Sequence, residues 1–295
     1  MDIGGFVEAH FTSKNYMRGR FAEMITDAWR ILEEAEATHA DGHEIVARVS
    51  LFSGGNDSTV LTHLVRHYAT HAAHANTTVG IERTRQYVRD TSAAWGLPLL
   101  EREAPVSFSD LVKERGFPGP AMHFKMYQRL KERPLHQIRR ELVKNPSKQR
   151  VMFIAGRRRL ESARRSSVPE HERLGSIIWA SPLANWSSDD MRIYRALNPD
   201  IPRNPISDAL GMSGECLCGA FAEPGELERV RAIDPECADW IDRLEAEVLE
   251  AGITDHRCKW GWGATFLDNR IAAAKSGPLC SCHDPLFILT KDDIK

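Results

Sequence analysis

Apolar and polar positions along this chain switch repeatedly between two periods. Ile45-Val46-Ala47-Arg48-Val49-Ser50-Leu51-Phe52 is an apolar run of strand type, and Val60, Leu61, Leu64 and Val65 follow it at the spacing of a helix face. The pattern predicts a strand over 45–52 and a helix over 58–71. The short segment Ala75-Asn76-Thr77-Thr78 precedes a helix expected from about 81 to 95. Pro98-Leu99-Leu100-Glu101 reads as the next strand, and a helix over 109–115 ends at Gly116. Phe117-Pro118-Gly119-Pro120 is a loop by its glycine and proline content. A helix from about 122 to 143 follows, then the short apolar strands Val151–Gly156 and Ile177–Ala180. Ser187-Ser188-Asp189-Asp190 caps a further helix running to about Leu197. Upstream, Phe21, Met24, Ile25, Trp29, Ile31 and Leu32 recur at near-helical spacing and predict a helix covering one edge of the core.

Alternating strands and helices imply an α/β fold, a parallel sheet flanked by helices on both faces. Ligands of such sheets sit at the carboxyl ends of the strands, near a switch in strand order. The loop after Phe52, the turn at 76–84 and the segment 156–165 are therefore expected to converge. After 200 the pattern gives way to loops rich in Gly, Pro and Cys and an acidic helix at roughly 235–251. The expected organisation is a helical extension over 1–43, a nucleotide-binding domain over 44–202 and a cysteine-bearing region over 203–295.

Composition narrows the picture in three places. No window approaches 18 apolar residues, so no membrane-spanning helix is expected, and the start lacks the pattern of a signal peptide, so a cytoplasmic protein is expected. The net charge of −2 hides a basic stretch over 125–173; for 129–148 a solvated helix face and a phosphate-facing surface weigh evenly. All six cysteines lie at or beyond Cys216, a clustering that points to a metal or cluster more than to disulfides.

The strongest candidate for chemistry is Ser53-Gly54-Gly55-Asn56-Asp57-Ser58, set between the first strand and its helix. Glycines let a backbone approach phosphate closely, and the N–H groups of the first helical turn point at an anion. Asp57 and Ser58 lie where capping residues belong, and an ordinary capped turn is the alternative. No Gly-Lys-Ser/Thr follows, so this is not a Walker A loop. The pattern resembles the PP-loop of the ATP pyrophosphatase superfamily, which cleaves ATP between the α and β phosphates or binds a nucleotide in the same cradle.

Further segments resemble the PAPS reductase branch of that superfamily. Asn76-Thr77-Thr78-Val79-Gly80-Ile81-Glu82-Arg83-Thr84 is similar to its strand-end motif, with Glu82 and Thr84 orienting a nucleotide or capping a helix. Leu130-Lys131-x-x-Pro134-Leu135 resembles an element that in cluster-bearing members follows two adjacent cysteines; here Met126 and Tyr127 stand in their place. Gly156-Arg157-Arg158-Arg159-Leu160-Glu161-Ser162-Ala163-Arg164-Arg165 resembles the family's Arg-x-x-x-Ser-x-x-Arg loop, with Arg158 and Arg165 as its arginines, suited to bidentate recognition of phosphate or sulfate. Ser181-Pro182-Leu183-x-x-Trp186-x-x-x-Asp190 resembles a structural element in which the tryptophan packs and the aspartate caps.

Two C-x-C pairs, Cys216/Cys218 and Cys280/Cys282, offer four thiolates from two loops, a set that suits a [4Fe–4S] cluster or, as the alternative, tetrahedral zinc. Buried thiols are the bland reading. Cys258 is a candidate replacement for one of the four, and Cys237, in the acidic helix, is expected in the core. The cluster is also implied by similarity to the sulfonucleotide reductases and the DNA-phosphorothioation ATP pyrophosphatase.

The resemblance implies an adenine-nucleotide α-hydrolase-like fold and a transferase that binds ATP (or PAPS/APS) with Mg²⁺. It implies adenylation of an acceptor with release of pyrophosphate, coupled to sulfur transfer. The residues it assigns to catalysis are Asp57, Ser58, Lys125, Arg158 and Arg165. Those it assigns to the nucleotide are Ser53, Gly54, Gly55, Asn56, Asp57, Ser58, Asn76, Thr77, Glu82, Thr84 and Arg164. Expected partners are an adenine nucleotide, a sulfur donor such as a cysteine desulfurase, and a DNA or RNA acceptor. Two other readings stand beside it. One is a thioredoxin-linked PAPS/APS reductase, against which the cysteine-free stretch Phe287–Lys295 counts. The other is a non-catalytic nucleotide-binding subunit of a modification or defence complex.

Overall fold

The computed structural model describes residues 3–161 and 165–263, the first fourteen of these by their backbone alone. Helix α1 (Ile3–His39) leads into β1 (Glu44–Leu51), α2 (Asn56–Val65), β2 (His71–Asn76), α3 (Glu82–Ala94), β3 (Leu99–Glu103) and α4 (Phe108–Arg115). Then come α5 (His123–Tyr127), α6 (Arg133–Leu142), β4 (Gln149–Ile154), β5 (His171–Leu174), β6 (Ile177–Ala180) and α7 (Ser188–Leu197). The described part ends with α8 (Pro205–Leu210), α9 (Glu226–Ile233), α10 (Pro235–Glu250) and a 3₁₀ turn at His256–Cys258. No helix among the described residues is long and apolar enough to cross a membrane.

The six strands form one sheet in the order β3-β2-β1-β4-β6-β5. All neighbours are parallel except the edge pair β5–β6. The expected α/β architecture is therefore present. The chain steps outward from β1 to β2 and β3, then crosses back to place β4 on the other side of β1. That reversal is the switch point at which a crevice opens beyond the carboxyl ends of β1 and β4.

Alternate side chains of the strands feed the two faces. On one, Met152, Ile154, Ile178 and Ala180 pack with Val60 and Leu61 of α2, Met191 of α7 and Met24, Ala28 and Leu32 of α1. On the other, Ala47, Val49, Val151 and Phe153 meet Leu135 and Ile138 of α6. A third apolar cluster joins Phe108 and Val112 of α4, Phe117, Met126 and Leu130 to Ile206, Leu217, Val230, Ile241 and Leu244. The chain beyond 200 thus shares a core with the 79–130 segments.

Three differences from the pattern-based expectation have physical causes. The helix after the glycine loop stops at Val65, and His71–Asn76 is a central strand. Its sequence, His-Ala-Ala-His-Ala-Asn, lacks β-branched residues; its small side chains suit a strand covered on both faces, and burial overrides propensity. Strand β5 (His-Glu-Arg-Leu) was not expected, because an edge strand with polar side chains carries no apolar alternation. The long helix over 122–143 is broken by a π turn at Gln128–Glu132. Pro134 explains it: proline has no N–H for the ladder and its ring clashes with the carbonyl four residues back, and one wide turn absorbs both.

The expected cap of α7 is present as a reciprocal capping box. Asp190 accepts the Ser187 N–H at 2.8 Å, and the Ser187 hydroxyl accepts the Asp190 N–H at 3.1 Å. The Arg20 fork of α1 also holds the Asp190 carboxylate, at 2.7 and 2.8 Å. Trp186 is buried beside it. Asp190→Ala is expected to cost about 2 kcal/mol of unfolding free energy, measured by urea denaturation, by removing cap and ion pair together.

Candidate functional site

Ser53, Gly54 and Gly55 carry the chain from the end of β1 into α2. Gly54 has φ +79°, a left-handed conformation that suits glycine. A Cβ there would stand 2.8 Å from Thr84 Cγ2 and 3.2 Å from Val88 Cγ2, so α3 closes against the loop from one side. Gly156, just beyond β4, closes it from the other: a Cβ would stand 3.2 Å from the Asp57 carbonyl oxygen. The first helical bond of α2 runs from Thr59 N–H to Gly55 C=O, and no side chain caps the helix. The N–H groups of Asn56, Asp57 and Ser58 precede that bond and point out of the helix end. Ser58 Oγ donates to the Gly55 carbonyl at 3.0 Å and lies 3.1 Å from Ser53 Oγ.

Two arginines reach this loop. Arg158, buried beyond β4, donates from Nε to Asp57 Oδ2 at 2.7 Å. Arg195 of α7 donates from Nε to Asn56 Oδ1 at 2.6 Å, and burial lowers its affinity for its proton. Asn204 adds a bond from Nδ2 to the Gly54 carbonyl at 2.9 Å.

The second turn, after β2, is held by the chain at 213–215. Thr84 Oγ1 donates to the Ser213 carbonyl at 2.9 Å, and Ile81 N–H to the Gly214 carbonyl at 2.9 Å. Glu215 is 1 % exposed. Its Oε1 accepts the Thr77 N–H at 2.8 Å, its carbonyl accepts the Thr77 hydroxyl, and its Oε2 faces His74 Nε2 at 3.1 Å. His74 Nδ1 faces the Phe52 carbonyl at 2.8 Å. With an acceptor at each ring nitrogen, both nitrogens must donate, so His74 is the imidazolium. Burial opposes that charge, but the charge and hydrogen bond of Glu215 outweigh it and raise the His74 pKa. Asn76 Oδ1 accepts the Thr78 N–H at 2.9 Å, closing a turn in which Thr78 has φ +62°. Gly80 is required here, since a Cβ would lie 2.7 Å from the Glu215 carbonyl oxygen.

Cys216 and Cys218 follow directly, both buried in the third apolar cluster with Met126 and Trp260, and Cys258 packs against it. The Trp260 indole N–H donates to the Leu217 carbonyl, between the two cysteines, at 2.7 Å. Trp262 donates to the Phe117 carbonyl at 2.8 Å and lies flush on Gly119. The 256–263 segment therefore fastens the cysteine loop to the Phe117–Pro120 loop. Among the described residues no three His, Cys, Asp or Glu side chains group as a metal site. Cys280 and Cys282 lie outside the described residues. Cys237, expected in the core, is only half-buried in the first turn of α10. Burial, with Asp234, pushes its thiol up to about 12, so it is protonated at neutral pH.

The remaining assigned residues are scattered. Glu82 is exposed and pairs with Arg85 and Arg89. Lys125 is exposed on α5, and no bond ties it to the glycine loop. Arg165 is buried against Glu161, and Arg164 lies outside the described residues. Pattern reading passed over Arg157, Arg195, His74 and Glu215. Arg157 is buried with Nε on Ser181 Oγ at 3.0 Å and its guanidinium over Trp179; its Nη2 has no hydrogen-bond partner. The alternation of side chains after a strand, which sends Arg157 and Arg158 to opposite faces, was the available signal. His74 and Glu215 gave none, because their pairing spans 141 positions.

A family model described as the phosphoadenosine phosphosulfate reductase domain matches residues 47–210. Among curated proteins no match is found. Similar solved structures include a phosphoadenylyl-sulfate (PAPS) reductase from Candida auris in a phosphate complex, 18% identical, covering 61% of this chain and 83% of that one with a TM-score of 0.43. The U34-tRNA thiolase NcsA from Methanococcus maripaludis with its [4Fe–4S] cluster is 14% identical, covering 90% and 86%, TM-score 0.42. An NMN synthetase from Francisella tularensis is 13% identical, covering 76% and 94%, TM-score 0.38.

The charged state of His74 has a pH consequence. Its folded pKa is raised, so its contribution to stability is complete below the ordinary value of 6.5 and is lost as pH rises through the raised value. The melting temperature is expected to fall on that alkaline side, and His74→Gln to remove this component of the fall, as read by thermal denaturation across pH 6 to 9 (a window of about two units above the ordinary histidine value).

Proposed function

The chain belongs to the phosphoadenosine phosphosulfate reductase domain family, whose model spans more than half of its 295 residues, and from that premise we propose that it binds ATP over the 53–58 loop and adenylates an acceptor, releasing pyrophosphate. The carrying observation is the convergence, where β1 and β4 part, of the uncapped N-terminus of α2 with Arg158. Backbone N–H groups and a guanidinium aimed at one place suit a phosphate chain whose negative charge shifts during transfer. The acceptor oxygen forms a bond to the α phosphorus, the bond to the bridging oxygen breaks, and pyrophosphate leaves with the electron pair. Arg158 and the α2 N-terminus take up the charge on the leaving group. Asp57 holds Arg158 in place until phosphate competes for it, or contributes an oxygen to Mg²⁺.

The surroundings of Cys216 and Cys218, apolar and shared with Cys258, fit a cysteine-ligated cluster, with Cys280 and Cys282 as its other ligands. Such a cluster, when bound, supplies a place to carry sulfur beside the adenylated acceptor, and a desulfurase-type donor would load it. Adenylation turns the acceptor oxygen into a good leaving group that sulfur then displaces.

The test is pyrophosphate release from ATP by anaerobically purified protein, with ATP affinity measured in parallel. Arg158→Ala is expected to lower release roughly 100-fold, and Ser58→Ala about tenfold. Sulfite release from PAPS without pyrophosphate release from ATP would overturn the proposal in favour of a reductase.

A further inference from the structure

Most arginines of this protein are committed to carboxylates. Arg48 is held by Glu36, Arg89 by Glu82 and Glu101, Arg102 by Glu141, Arg158 by Asp57 and Arg231 by Asp239 and Asp242. One stretch gathers cations that are not. Lys125, Arg129, Arg133, Arg140, Lys144 and Lys148 form no ion pair among the described residues. All are exposed except Arg129, which is half-buried. The two acids of the stretch are occupied elsewhere: Glu141 faces Arg102, and Glu132 faces His136 at 3.8 Å.

Lys125, Arg129, Arg133 and Arg140 share one side of the α5–π turn–α6 rod, and Lys144 and Lys148 follow in the loop before β4. Positions 125, 129, 133 and 140 recur at steps of four or seven, one face of a helix. The other face is fixed by burial of Pro134, Leu135 and Ile138 on the sheet. From Lys125 to Arg140 the rod covers about 22 Å, with successive cations about 6 Å apart along the first two steps. A nucleic-acid duplex carries roughly one charge per 1.7 Å of axis with both strands counted, so a duplex of that length carries about a dozen phosphates, part of which face the ridge. The near end of the rod adjoins the candidate site, since the π turn packs against β2, whose carboxyl end carries the Asn76 turn.

Cations spaced by one or two helical turns along a rigid, sheet-backed ridge match an extended polyanion, and a helix seated on a sheet cannot enter a groove deeply. We propose that this ridge docks the sugar–phosphate backbone of a nucleic acid, gripping it without reading its sequence. The docking stands on the ridge alone; taken with the adenylation reading, on which this last step rests, it makes a nucleic acid the acceptor class.

The test uses the full chain and a fluorescently labelled RNA hairpin, followed by anisotropy between about 50 and 200 mM salt. The DNA hairpin of the same sequence, anionic lipid vesicles and a sulfated polysaccharide are parallel arms. The variant carries Arg133→Glu, Arg140→Glu and Lys144→Glu, all outside the assigned catalytic set. Wild type is expected to bind a hairpin with a log–log salt slope of about −5, and the variant to bind roughly 100-fold more weakly with a slope smaller by about 3. ATP affinity is expected to be equal in both, which also certifies the variant's fold. Should it not be, the Gln substitutions at the same three positions replace it, with an expected loss of about tenfold. Whether the RNA or the DNA hairpin binds tighter assigns the sugar, and both results support the ridge. Unchanged hairpin affinity in the variant overturns the proposal, as does wild-type binding to vesicles or polysaccharide as tight as to the hairpins. Loss of ATP binding with hairpin binding intact would sink the nucleotide reading and leave the ridge standing.

Discussion

A buried carboxylate, Glu215, holds the carboxyl end of this sheet in order. At 1 % exposure its desolvation is costly, several kcal/mol for an unpaired ion. The cost is offset by the Thr77 backbone N–H and the His74 imidazolium, with Arg85 Nε 3.7 Å away, while the Thr77 hydroxyl holds the Glu215 carbonyl. His74 in turn holds the last carbonyl of the β1 run, at Phe52. One network therefore ties β1, the turn after β2, the start of α3 and the cysteine loop. Because its members share charge in a low dielectric, removing any one leaves the others buried and unpaired. The positions of Cys216 and Cys218, one and three residues beyond Glu215, are set by electrostatics on the glycine-loop side of the molecule.

That arrangement constrains the glycine loop as well. Gly54, Gly55 and Gly156 are each pressed by a neighbour: Thr84, Ser213 and the Asp57 backbone respectively. Ser213 belongs to the same segment as Glu215, so the segment that anchors the cysteines also forms a wall of the loop. Thr84 and Thr77 spend their hydroxyls on this segment. Their role in the structure is to bring the two motifs together, and any contact they make to a nucleotide has to coexist with those bonds. Arg158 and Arg195 are differently placed, each held to the loop by a single side chain, Asp57 or Asn56. They can exchange that partner for a phosphate without unmaking the core.

Local chemistry made much of this legible and non-local chemistry did not. The strand–glycine–helix unit, the α7 capping box and the acidic helix α10 are short-range patterns, and each appears where its residues predict it. The parallel sheet followed from the alternation of elements. Strand β2 went unrecognised, with only the segment Ala75–Thr78 marked near its end, because alanine and histidine carry no strand signal, and β5 was missed because an edge strand needs none. In the site, the arginine after β4 that meets Asp57 was legible from the motif. Arg195, His74 and Glu215 were not, since they arrive from 139, 141 and 138 positions away from Asn56, Glu215 and Thr77. Nothing in a single linear pattern records such a pairing; only the folded sheet brings the partners within reach.

Charge was the least legible property of all. A net value of −2 averages over unlike local faces. The acids Asp239, Asp242, Glu245 and Glu247 of α10 are paired with Arg231, Lys259 and Lys113, while cations without an acid partner among the described residues gather on α5, the π turn and α6. Exposed charges interact over a screening length of about 8 Å at physiological salt, so an approaching polyanion responds to the local face and not to the sum. Arginines already locked to carboxylates contribute little to that face, because their fields cancel within the pair. What distinguishes the ridge is therefore a set of cations that pair with no acid among the described residues, a property that emerges once the fold has drawn Glu141 across to Arg102 and left Arg140 facing outward.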